Sequence, residues 1–381
     1  MQLKLSPLFG VLVLTIMPIP PESTALASNS ASVFRSIAHC GWSEHHLTLP
    51  GSTPDAAWFR QLDTLLGDSD TTILGVTLFG DEQALHSMGD QIRCRGIDAP
   101  QTAILSNSAT PGGIQIDTAS GICATPLFEN GRLIGSYFED SEARYCILND
   151  LRPTTPALSR GAQTEAVLQT IQESLVKVGM DFRDVVRTWF YVDRILDWYG
   201  EFNQVRTTFF QEHGITRMPA STGVGAPNLA GAALVARVIA VQPKSAAVTV
   251  NLAESPLQCE ALAYGSSFSR AMEVAGSGAR SLYISGTASI EPEGATVFAD
   301  NAVRQIEKTM EVVEAILKHS RMGLADITRA IAYFRHPEQT VLWNEYCQSR
   351  QLPPLPVIVA QCDICRDDLL FELELDAVRA L

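Results

Sequence analysis

Residues 162–191, "AQTEAVLQTIQESLVKVGMDFRDVVRTWFY", and residues 304–333, "RQIEKTMEVVEAILKHSRMGLADITRAIAY", align without a gap at a constant offset of 142. Gln163 meets Gln305, Ile171 meets Val313, Leu175 meets Leu317, Asp184 meets Asp326, Arg187 meets Arg329 and Tyr191 meets Tyr333. Two such segments must fold alike and bury similar surfaces. Each reads as an amphipathic helix, with Val167, Leu168, Ile171, Leu175 and Val176 at helical spacing, then a turn, then a strand. A second helix follows in each, around Trp198 to Phe210 and Thr340 to Arg350, and each unit closes on an apolar strand, from Ala232 and from Asp368. The resulting pattern is α+β, with mixed sheets backed by helices. The expected boundaries are an N-terminal extension over 1–30, a first unit over 31–245 and a second over 250–381. Residues 31–140 are less regular and read as an elaboration of the first unit.

With 381 residues, 46% of them apolar, the chain can bury a sizeable core. A net charge of −14 argues against nucleic acid or an anionic membrane surface as the main partner, and leaves room for a small anionic substrate where arginines cluster. The eight cysteines are scattered, as in a reducing compartment, and neither the lone Cys362-x-x-Cys365 nor "HCGWSEHH" (His39 to His46) has zinc-ligand spacing, so no metal is expected. The first thirty residues combine an apolar run broken by Pro18 and Pro20 with Ala-Leu-Ala before Ser28, the shape of a secretory signal or of an N-terminal extension. The chain is expected to be cytoplasmic, or exported if that segment is a genuine signal.

The last strand poses the chemical question. Leu370, Glu372, Glu374 and Asp376 alternate with Leu369, Phe371, Leu373 and Leu375, so the carboxylates share one face, either as the wet side of an edge strand or as working acids. Aligning the two closing strands pairs Glu372 with Val235 and Glu374 with Arg237. A generic edge would suit a polar residue in both copies, so the carboxylate at Glu372 belongs to a task of the second copy alone.

"SLYISGTASIEPEG" (Ser281 to Gly294), "GLADITRAIAYF" and "FELELDAV" resemble the Rid (YjgF-like) family, small single-domain proteins that pack as trimers. The tandem arrangement, with "RTWFYVDRILDWYGEFNQVRTTFF", "MPASTGVGAP" and "CRDDLLFELE", resembles the chorismatases, which carry two Rid-like units and cleave chorismate to pyruvate and a ring product. The likeness covers about residues 130–381. Simple Rid proteins hold an imino acid with an arginine two residues after a proline; here Pro356-Val357-Ile358 and Pro219-Ala220-Ser221 stand instead, which disfavours imine deamination. The resemblance implies a homotrimer, no cofactor, and Glu372 as catalytic acid.

Cleaving an enol ether needs a proton at its terminal methylene carbon, hence a carboxylic acid kept protonated near neutral pH by an apolar setting or a like charge. Glu372 has both at hand. Two substrate carboxylates call for arginines, with Arg144, Arg160 and Arg217 as candidates. Tyr191 and Tyr199 are candidate donors to ring substituents, Tyr145 beside Arg144 is a further substrate-binding candidate, and Thr222 and Gly223 offer donors at a strand end. Each is equally readable as core or surface. Cys365 reads by default as a small buried hydrophobe; within the resembled family, a cysteine there accompanies the subgroup that forms 3-hydroxybenzoate, and Gly286 points the same way. The alternatives are hydrolysis of chorismate to 3,4-dihydroxycyclohexa-1,5-diene carboxylate, and a non-catalytic Rid-like binding or regulatory protein.

Overall fold

The computed structural model describes residues 32–51, 56–66, 70–261 and 266–381. The signal-like stretch over 1–30 lies outside the described residues, and among those described no helix is long and apolar enough to cross a membrane.

The chain forms three sheets. The first unit comprises β1 (Val33–Ala38), β2 (Ser43–Pro50), α1 (Ala56–Leu66), β3 (Thr71–Gly80), α2 (Glu82–Cys94), β4 (Gln101–Leu105) and β5 (Gly113–Ser120). Next come β6 (Thr125–Glu129), β7 (Arg132–Glu139), β8 (Ala143–Leu151), α3 (Arg160–Val176), β9 (Val185–Val192), α4 (Ile195–Glu212), β10 (Ala220–Gly225) and β11 (Leu234–Pro243). The third unit holds β12 (Thr249–Ala253), β13 (Ala271–Ala275), β14 (Ala279–Ala288), α5 (Ala302–His319), β15 (Ile327–Phe334), α6 (Val341–Ser349), β16 (Val357–Gln361) and β17 (Phe371–Ala380). Strand orders are β1-β2-β5-β3-β4, β10-β9-β11-β8-β7-β6 and β12-β13-β14-β17-β15-β16. The second and third are the same order written from opposite ends, and the first is that order without its outermost strand. The segment read from sequence as an elaboration is therefore a unit in its own right, so the stretch expected as one domain over 31–245 holds two.

The repeated residues explain why the units fold alike. Ser159 and Asn301 cap α3 and α5, their side chains accepting from the N–H groups of Ala162 and Arg304. The inner faces bury Val167, Leu168, Ile171 and Leu175 in one copy and Ile306, Met310, Val313 and Leu317 in the other. Each such side chain stabilises by about 1.5–3 kcal/mol on burial. The repeated glutamine stitches helix to closing strand. Gln163 accepts from Ala233 N–H at 2.8 Å, and Gln305 accepts from Leu370 N–H at 2.7 Å while donating to the Asp368 carbonyl. This tether fixes the entry of β17, two residues before Glu372.

The three sheets meet at a central cluster containing Phe79, Trp189, Tyr191, Ile331, Tyr333 and Ile358. Phe79, Tyr191 and Tyr333 hold matching positions, opposite Gly113, Val235 and Glu372 on their closing strands. Phe79 lies 5.9 Å from Tyr191 and 6.3 Å from Tyr333 between ring centroids, so the three strands surround a pseudo-threefold axis.

Candidate active site

β17 is not an edge strand. It lies between β14 and β15, and its first eight residues, Glu372, Glu374 and Asp376 included, are buried. The carboxylate face therefore points at the other units instead of at water. The register inferred from the repeat holds: Val235 pairs with Tyr191 as Glu372 pairs with Tyr333, and Arg237 pairs with Trp189 as Glu374 pairs with Ile331.

Two residues apart, Glu372 and Glu374 are held in opposite states. Glu374 accepts from Arg187 at 2.6 Å, from Arg329 at 3.0 Å and from the Thr222 hydroxyl at 2.6 Å. Burial alone would raise its pKa, but Arg329, Arg187 and the Thr222 hydrogen bond together hold it below the usual carboxylate value. Glu372, 4% exposed, has no hydrogen-bond partner among the described residues. Burial first, and the charge of Glu374 second, push it up to about 8, against weaker opposing pulls from Arg187 and Arg270. A protonated carboxylic acid thus stands beside an ionised one, at neutral pH, on one strand.

Gly286 explains how Glu372 fits. A Cβ at this position would lie 2.0 Å from Glu372 Oε1, so only glycine leaves room for the carboxyl. The Gly286 N–H donates to Thr222 Oγ1 at 3.1 Å, and that hydroxyl also accepts from Arg187 at 2.9 Å. Thr222 therefore ties the backbone facing Glu372 to the ion pair behind it.

Glu372 opens on a cavity of about 570 Å³ between the second and third units. From the second unit come Tyr199, Asn203 and Thr207, spaced by four along α4 so that they share one face. The third unit adds Phe268, Arg270, Gly286, Cys365 and Arg366. Arg270 lies with its guanidinium 5.6 Å from the Phe268 ring centre and donates from Nε to the Cys259 carbonyl at 2.9 Å. The Cys365 thiol is pushed up to about 12, by burial and then by Glu372, with Tyr199 in hydrogen-bonding contact. At neutral pH it is an S–H group and not a thiolate.

Of the residues expected from sequence, the fold brings together Glu372, Cys365, Tyr199 and Gly286 at this cavity, with Thr222 directly behind. Six others stand elsewhere. Arg144 pairs with Glu139 and Gln242, and Tyr145 donates to Asp140 beside a separate cavity. Arg160 faces Asp197 and the Trp198 ring. Arg217 donates to the Val250 and Arg183 carbonyls. Tyr191 is core at the axis, and Gly223 lies on β10, outside the cavity lining. Each is committed within its own unit, at the axis or, for Arg217, to the neighbouring strand β12, which spacing along the chain does not reveal.

A model of the endoribonuclease L-PSP family matches residues 154–242, most of the second unit. A chorismatase from Streptomyces rapamycinicus is 30% identical over 240 residues, spanning 56% of this chain and 69% of that protein. The chain belongs to the chorismatase family. A 3-hydroxybenzoate synthase from Streptomyces hygroscopicus is 23% identical over 273 residues, 65% of this chain and 77% of that protein. A chorismatase crystal structure shares the fold with a TM-score of 0.59 at 21% identity, covering 91% of this chain and 98% of that one.

In this chorismatase-family chain, Asn203, Phe268, Arg270 and Arg366 line the cavity without having been singled out in the sequence. Asn203 was legible in principle, as the middle of the polar i, i+4 series on α4. Arg270 carries a weaker signal, a lone arginine immediately before the buried strand β13, where a charge needs a partner or a ligand.

Proposed function

We propose that this protein converts chorismate, cleaving its enolpyruvyl ether to release pyruvate and form 3-hydroxybenzoate. One observation carries the reading: Glu372 is a buried carboxyl kept protonated near pH 7, facing a cavity lined by two arginines. Glu372 delivers its proton to the terminal methylene carbon, the enol-ether π electrons form the new C–H bond, and the neighbouring ring hydroxyl adds to the cationic ether carbon, returning its proton to Glu372. Loss of the C–H proton at the ether-bearing ring carbon then breaks the bond from the ring to the added oxygen, which leaves as the pyruvate carbonyl. The ether oxygen stays on the aromatised ring and takes up that proton as the phenol. Arg270 and Arg366 hold the two substrate carboxylates, taking the role that the sequence offered to Arg144, Arg160 and Arg217.

Chorismate has the same composition as pyruvate plus 3-hydroxybenzoate, so this outcome consumes no water, whereas the dihydroxycyclohexadiene carboxylate adds one. Cys365, an apolar neutral thiol beside Glu372, favours the water-free outcome by occupying space that a captured water would use. Within one chain, the three units already pack around a pseudo-threefold axis, the arrangement the resemblance leads one to expect between chains.

The test incubates purified protein with chorismate, follows pyruvate through lactate dehydrogenase, and separates ring products by chromatography. Turnover in the wild type and its loss in Glu372→Gln are expected. A wild type without turnover would leave a Rid-like binding protein as the better description, and an active Glu372→Gln would remove the acid assignment.

A further inference from the structure

A second cavity lies on the pseudo-threefold axis and shares no lining residue with the cleft at Glu372. Its walls come from strands of all three units, and its floor is part of a buried ionic network. Asp117 binds both Arg237 and His46, the latter at 2.7 Å. Glu44 binds His39 at 3.0 Å and lies 3.5 Å from His46 Nε2, while Arg329 donates to Asp376 at 3.0 Å. Burial opposes charge on His46, but Asp117 and Glu44 raise its pKa to about 10, so it is a cation. Arg187, Arg237, Arg329 and His46 then balance Glu44, Asp117, Glu374 and Asp376, and the network is electrically neutral.

Neutral is not satisfied. Arg237, 2% exposed, lines the cavity with Nε and Nη1 lacking a hydrogen-bond partner among the described residues. Buried guanidinium donors without an acceptor are costly, so this floor calls for one. Above it the wall turns apolar, with Phe138, Ile239, Val241 and Val274. At the other end stand Asp140 and Glu142 beside Trp42, whose ring stacks on His39 at 4.0 Å. The cavity measures about 90 Å³, and since one water needs about 10–15 Å³, it holds several waters or one six-membered ring.

We propose that this axial cavity is a second ligand site, for a small uncharged ring compound whose one polar group accepts hydrogen bonds from Arg237. An anion fits poorly: it would add an uncompensated charge to a balanced floor and pass two carboxylates on entry. A cation meets the unpaired donors of Arg237. A carboxamide, carbonyl or hydroxyl on an apolar ring matches both floor and wall. This ligand class differs from the anionic substrate proposed for the cleft, so either proposal can fail without the other.

The test titrates the full chain with benzamide, and with benzoate and benzylamine as charged counterparts of the same shape, by calorimetry and ligand-observed NMR. One benzamide per chain is expected, displaced by either ion only at concentrations at least about tenfold higher than benzamide itself requires, whatever benzoate binds in the cleft at Glu372. Val274→Phe, which fills the wall away from the ionic floor, weakens benzamide at least about tenfold, and Val248→Phe repeats the test should the first variant fold poorly. Glu372→Gln leaves benzamide binding unchanged. No binding up to about 10 mM, displacement of benzamide by benzoate at equal or lower concentration, indifference to both filling variants, or loss of binding in Glu372→Gln would each overturn the proposal.

Discussion

The pH dependence of turnover tests the state of Glu372 directly. The ordinary carboxyl value is 4.5 and the folded value about 8. At pH 7, a group with pKa about 8 is roughly nine-tenths protonated, whereas one at 4.5 is roughly 0.3% protonated, so the environment enriches the acid about 300-fold. Turnover at saturating chorismate, followed by direct loss of substrate so that the coupling enzyme is not under test, is expected to stay level up to pH 7. Above pH 8 it falls about tenfold per pH unit, since the acid form is lost as pH rises through the folded pKa. Glu374→Gln removes the neighbouring negative charge and leaves Arg187 and Arg329 in place, so the midpoint moves below 8. Breaking that buried pair costs about 3–5 kcal/mol, and the midpoint is therefore read on protein shown to be folded. A profile flat from pH 6 to about 9.5, or one that rises with pH, would refute the assignment of Glu372 as a protonated acid.

Other outcomes follow from the same geometry. The unfolded chain ionises Glu372 from pH 4.5 upward and the native protein only near 8, so its burial lowers stability across that window; Glu372→Gln should melt higher than wild type at pH 9, with the gap closing toward pH 4.5. Cys365→Ser places a hydrophilic group beside Glu372, and chromatography should show the product mixture shifting toward the dihydroxycyclohexadiene carboxylate. Arg270→Gln should raise KM for chorismate by roughly 10–100-fold, the loss of one charge-assisted contact, read on protein shown to be folded because the same change removes the hydrogen bond to the Cys259 carbonyl. Asp117→Asn strips Arg237 and His46 of their shared partner and should cost about 3–5 kcal/mol in denaturant unfolding.

The second and third units were legible because Gln163 and Gln305, or Arg187 and Arg329, recur at one offset and do the same structural work in each copy. The first unit escaped because it keeps the strand order without those marker residues: Gly75 stands where Arg187 and Arg329 stand. Glu372 could be singled out because its counterpart Val235 cannot ionise. Arg144, Arg160 and Arg217 could not be told from Arg270, since which arginine reaches a cleft between units depends on how units pack, and local spacing carries no trace of that. The alternation of β17 suits a half-wet edge strand as well as a strand carrying working acids; in the fold its polar half is dry, with Glu374 and Asp376 paired to arginines from β9 and β15 and Glu372 kept protonated.

Fusing three units into one chain releases them from exact symmetry. Gln115, Arg237 and Glu374 occupy the same position on three closing strands, each opposite the matching residue of its neighbour: Thr77, Trp189 and Ile331. In a true homotrimer, whichever residue stood there would appear three times around the axis, and three glutamates or three arginines would repel one another in a dry interior. With the copies linked, one neutral, one cationic and one anionic side chain share that ring and compensate. A lone acid such as Glu372 can then be tuned by neighbours that no rotation repeats.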